Sequence, residues 1–90
     1  MVKKESIIKR RGHREKYDER KVYASVYAAA LNCHYSEQKS EKIAKEITKK
    51  INSWIKKRKE ITSEEIRDQI IKNLKDRDVK LMYKHHLDLS

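Results

Sequence analysis

The sequence predicts a mainly α fold with a small β element, an N-terminal β-hairpin packed on a bundle of three to four helices. Three observations predict it. The only glycine, Gly12, stands between two short stretches that read as strands. From Asp18 onward the apolar residues recur every third or fourth position instead of every second. Serine, threonine and aspartate fall where those helical periods begin, which is where an N-cap oxygen is needed.

The first strand is expected over Ser6 to Arg10 and the second over Arg14 to Tyr17, with the turn at Arg11-Gly12. Gly12 supplies the positive φ of a bulged turn, because a paired primed turn would force Arg11 there as well. Period two puts Ile7 and Lys9 on one face of the first strand, and Glu15 and Tyr17 on one face of the second. If those faces coincide, they outline a pocket with an apolar and aromatic wall, a carboxylate and an ammonium.

Asp18 caps a first helix running to about Asn32, with Val22, Val26, Ala29 and Ala30 on one stripe and Tyr23 and Tyr27 beside it. Ser36 or Ser40 opens the second, whose inward face is Ile43, Ile47, Ile51, Trp54 and Ile55 while lysines fill the opposite side. Thr62 or Ser63 caps a third, with Ile66, Ile70, Ile71 and Leu74 inward. Asp78 to Leu87 forms a shorter fourth around Val79, Met82, Tyr83 and Leu87.

Ninety residues suit one domain, 1–90, and the absence of proline together with the single Gly12 leaves few places for a long flexible linker inside it. The 24 lysines and arginines against 14 acidic residues give a net charge of +10, which attracts polyanions without choosing among nucleotides, nucleic acids and acidic proteins. One cysteine, Cys33, cannot form an internal disulfide, so a cytoplasmic location is expected. No apolar run approaches the roughly 20 residues that span a bilayer, and no membrane partner is expected.

A single glycine excludes the P-loop and the dinucleotide fingerprint, both of which need several to bring backbone amides against phosphate. Phosphate must therefore be gripped by side chains. Cys33-His34 and His85-His86 do not make a zinc set, and no nucleophile, base and orienting partner assemble along the sequence. The expectation is a protein that is not an enzyme. Lys21 is the residue out of place: it lies in the first turn of the first helix, where the dipole disfavours a cation and a bound phosphate would offset it.

The segment from Ile7 to Ala30, IIKRRGHREKYDERKVYASVYAAA, resembles the opening of the ATP-cone. This is the regulatory nucleotide-binding domain at the front of ribonucleotide reductase large subunits and in the zinc-ribbon repressor of their genes. The matching positions are Ile7, Lys9-Arg10, Gly12, Glu15, Tyr17, Asp18 and Lys21. Ile61 to Ile71, ITSEEIRDQII, is similar to the family's helix that opens with threonine or serine before isoleucine. The likeness spans about Ser6 to Leu87. Arg11 departs from it, standing where an aspartate or asparagine is usual, and makes the region more basic.

The resemblance implies ATP or dATP as effector, with Mg as a companion, bound between hairpin and helices. It implies that Lys9, Arg10 and Lys21 hold phosphates and that Ile7, Tyr17, Val22 and Ile66 surround the base. Glu15 would read the adenine amine, and Thr62 or Ser63 and Arg67 would lie near base and sugar. The residue types alone agree on Lys9, Glu15, Tyr17 and Lys21, and they account for Ile66 as core and for Thr62 and Ser63 as caps. The leading expectation is a stand-alone nucleotide sensor whose output is association with itself, a ribonucleotide reductase or a transcription regulator. The alternatives are a small basic nucleic-acid-binding protein, using the hairpin and Lys56-Lys57-Arg58-Lys59, and a helical interaction module without a ligand.

Overall fold

The computed structural model describes residues 7–10, 13–58 and 60–89, with 7–10, 13–15 and 86–89 described by their backbone alone. It is mainly helical with a small sheet, as the spacing predicts. The elements run β1 (Ile7–Arg10), β2 (His13–Lys16), α1 (Glu19–Asn32), α2 (Glu37–Ile55), β3 (Glu60–Thr62), α3 (Ser63–Asn73) and α4 (Arg77–Leu89). The expected turn at Arg11-Gly12 and the start of the first strand at Ser6 lie outside the described residues.

β1 and β2 pair antiparallel, Ile7 with Lys16, Ile8 with Glu15, Lys9 with Arg14 and Arg10 with His13. The second strand therefore ends at Lys16, one residue before the expected Tyr17, which leaves the ladder ahead of the α1 cap. Sequence reading misses β3. It adds to the free edge of β1 in parallel, with Ile7 opposite Glu60, Ile8 opposite Ile61 and Lys9 opposite Thr62, so the sheet order is β2-β1-β3. A three-residue strand is too short to show a period of two, and Ile61 alone anchors it, 1% exposed in the core.

Asp18 caps α1 through a bond from the Arg20 amide, as expected. The helix ends at Cys33 and His34, the latter with φ of 67°, the left-handed conformation that stops a helix. Of the two serines offered for α2, Ser36 is the cap, its Oγ accepting from the Lys39 amide at 3.1 Å, and Ser40 is buried one turn inside. Thr62, rather than Ser63, caps α3. Its Oγ1 accepts from the Glu65 amide at 3.0 Å while the Glu65 carboxylate accepts from the Thr62 amide at 2.9 Å, a reciprocal capping box. α4 begins one residue earlier than expected because Asp76 does the capping, accepting from the amides of Asp78 at 3.0 Å and Val79 at 3.1 Å.

The core gathers the predicted stripes: Val22, Val26, Ala29 and Ala30 of α1, Ile47, Ile51 and Ile55 of α2, Ile66 and Ile70 of α3, Leu74, and Val79 and Tyr83 of α4. Ile43, Trp54, Ile71 and Met82, expected inward, are only half-buried at its margin. Ala44 takes the centre of the α2 face instead. α1 packs on α2 and α4, and α3 packs on α2, α4, β3 and β1. That last contact brings the hairpin against the helices.

Candidate functional site

The segment joining the hairpin to α1 is fastened to the end of α2. Tyr17 follows β2 directly, is half-buried, and its hydroxyl donates to Asn52 Oδ1 at 2.7 Å. Asn52 Nδ2 in turn donates to Glu19 Oε1 at 2.6 Å. Burial, followed by the charges of Glu19 and Asp18, pushes the Tyr17 phenol well above its ordinary value, so it stays a neutral donor.

Next to it, Asp18 is engaged by Arg20 through Nε to Oδ1 and Nη2 to Oδ2, both at 3.1 Å. That side-chain pairing is the largest cause of a carboxyl held below its usual range. Both carboxylates at the head of α1 are thus drawn to fixed partners, one by Arg20 and the other by Asn52. Lys21 is exposed in the same turn, and its amide donates to the Asp18 carbonyl at 3.0 Å.

The sheet sets one hairpin position beside the start of α3. Lys9 is the register partner of Thr62 across the β1 and β3 pair, so a hairpin position and the α3 cap lie side by side although far apart in sequence. One turn along α3, Ser63 and Arg67 are partly exposed and share a helical face with Ile66. Val22 and Ile66 are core residues, 5% and 8% exposed. The Thr62 hydroxyl already serves the capping box.

The ladder separates two groups that sequence reading combined. Directly paired positions share a face, so positions 7, 9, 14 and 16 form one row and positions 8, 10, 13 and 15 the other. Position 15 therefore shares a face with position 10, not with 7 and 9. The conditional pocket of Ile7 and Lys9 with Glu15 is not formed on one face of the hairpin. The side chains of Ile7, Lys9, Arg10 and Glu15 lie outside the described ones.

Sequence reading also misses Asn52 and Glu19. No periodicity marks them, since Asn52 sits on the flank of an amphipathic helix and Glu19 reads as ordinary first-turn charge. β3 stands between α2 and α3, so these two helices are not joined by a simple turn. Lys56 and Lys57 are exposed, and Arg58 lies over the Trp54 ring at 4.7 Å. Cys33 lines a shallow groove of about 570 Å³ with Asp78, Leu81, Met82 and His85, at the far end of α1 from Asp18. Burial pushes its thiol up, away from the thiolate a nucleophile needs. Among the described residues no helix is long and apolar enough to cross a membrane, and no group of three or more histidine, cysteine or acidic side chains could hold a metal.

A family model described as the ATP cone domain matches residues 5–87. Comparison with the curated proteins and with the solved structures returns no match.

Proposed function

The chain belongs to the ATP-cone family, a family of nucleotide-binding regulatory domains, and on that premise we propose that residues 1–90 act as one such domain. ATP or dATP binds between the hairpin and the helices, and the output is a change in association with a second copy, a ribonucleotide reductase or a transcription regulator in the cytoplasm. The pairing of Lys9 with Thr62 carries this reading, because it sets a hairpin position beside the head of α3. As the family resemblance implies, Lys9, Arg10 and Lys21 hold phosphates and Glu15 reads the adenine amine; because the ladder puts Arg10 and Glu15 on the opposite row from Ile7 and Lys9, the nucleotide must meet both faces of the hairpin. Ile7 and Tyr17, with the narrow exposed edges of Val22 and Ile66, surround the base, and Thr62 or Ser63 and Arg67 approach base and sugar.

The head of α1 supports the phosphate assignment. Asp18 and Glu19 would repel an anion there, and each is tied to a partner of its own, while Lys21 and the positive end of the helix dipole attract one. Mg would be held by phosphate oxygens and water, the ordinary arrangement for a cation of this hardness.

The test is calorimetric titration with ATP and, separately, with a short DNA duplex and an RNA strand, at low salt and at about 150 mM salt. A pocket that encloses a base combines apolar burial with charge, so saturable ATP binding should survive the higher salt. Affinity along a polyanion releases many counterions and should largely vanish. Tight nucleic-acid binding at the higher salt with no saturable ATP heat would overturn the reading.

A further inference from the structure

We propose that Asn52 is a positioning residue of the nucleotide site, acting through Tyr17. The inference rests on the function proposed above and deepens it. Asn52 belongs to the last turn of α2, more than thirty positions from the hairpin, yet its amide is the meeting point of two groups that flank the head of α1. Its oxygen accepts from the Tyr17 hydroxyl at 2.7 Å and its nitrogen donates to the Glu19 carboxylate at 2.6 Å.

An asparagine amide has one acceptor end and one donor end, and here each is committed to a different partner. The donor bond fixes which way round the amide sits, and so aims its oxygen at Tyr17. Tyr17 lies in irregular backbone between β2 and the Asp18 cap, where no ladder holds its ring. The hydroxyl bond supplies that restraint at the far end of the side chain. A ring held at both ends presents one face, so less rotamer freedom is lost when a base packs against it.

Asn52 itself does not touch phosphate in this arrangement, so its effect should appear in base recognition. The probes are ATP and inorganic tripolyphosphate, which carry the same phosphates with and without the base. Asn52→Ala should lower the ratio of ATP to tripolyphosphate affinity about tenfold, the size expected for one hydrogen bond of about 1.4 kcal/mol. Tripolyphosphate affinity itself should change less than about twofold.

Tyr17→Phe keeps the ring, removes the same bond from its other end and should lower the ratio as Asn52→Ala does. A merely structural role would move melting temperature without moving the ratio. An unchanged ratio in Asn52→Ala, or in Tyr17→Phe, overturns the assignment. A wild-type chain that binds the two probes equally well refutes the nucleotide pocket itself, and the positioning role with it.

Discussion

Lys9 and Thr62 are partners in the parallel pair of β1 and β3, and Thr62 is at the same time the N-cap of α3. One residue therefore ends a strand, begins a helix and borders the hairpin. Thr62→Ala removes the acceptor for the Glu65 amide and should cost about 1 kcal/mol of stability, within the range of about 0.5–2 for lost caps. Thr62→Ser keeps the oxygen and should cost much less. Urea denaturation of the two variants separates cap from methyl group.

Lys21→Ala should weaken ATP binding roughly tenfold or more, because a charge-assisted contact to phosphate contributes about 1.5–3 kcal/mol. The side chain is exposed, so the fold should be retained. Unchanged affinity by calorimetry would remove Lys21 from the site. If Glu15 accepts from the adenine amine, GTP, with a carbonyl there, should bind at least about an order of magnitude more weakly than ATP.

Asp76 receives the Tyr35 hydroxyl at 2.6 Å as well as two α4 amides. The Tyr35 bond, ahead of the amides, holds its carboxyl below the usual range, and the same bond heads the causes that raise the Tyr35 phenol to about 12. A depressed carboxyl stabilises the fold above its unfolded pKa of about 4, and that stability is lost as pH falls through the lower folded value. In Asp76→Asn the amide side chain can still cap but cannot titrate. Melting curves of this variant between about pH 2 and about pH 6 should therefore vary less with pH than wild type, with a lower melting temperature at the upper end.

Ser40 Oγ is fully buried in α2 and has no hydrogen-bond partner among the described residues. An unpaired buried hydroxyl costs about 1–3 kcal/mol, and alanine is the better helix former. Ser40→Ala should raise the melting temperature by about 4–8 °C for each kcal/mol recovered, measured by calorimetry. A drop would mean that the hydroxyl has a partner in solution.

The helices are legible because each carries an apolar stripe and a capping oxygen, as with Asp18 ahead of Val22 and Val26. Where two caps compete, sequence cannot choose: Ser36 and Ser40 differ by one turn, and only packing puts Ser40 inside. β3 is illegible because Glu60 to Thr62 form a strand only beside β1, and no local pattern announces a pairing with a partner so distant. Asn52 is hidden for the same reason, its two partners being brought to it by the fold. Residue types mark out Tyr17 and Lys21, but the hairpin faces depend on register, which the local sequence leaves open.

The position of β1 in the middle of the sheet has a consequence for biosynthesis. Its antiparallel neighbour follows within a few residues, but its parallel neighbour is more than fifty positions downstream. At the usual elongation rates of about 5–20 residues per second, several seconds separate the appearance of β1 at the ribosome from that of β3. During that interval one edge of the strand exposes unpaired amides and carbonyls, and a lone two-stranded ribbon is marginal in water. The basic side chains crowded along this segment make it a poor template for another nascent chain of the same kind, because like charges would meet across the new edge. The charge of the segment thus disfavours edge pairing between copies until Ile61 and its strand cover β1.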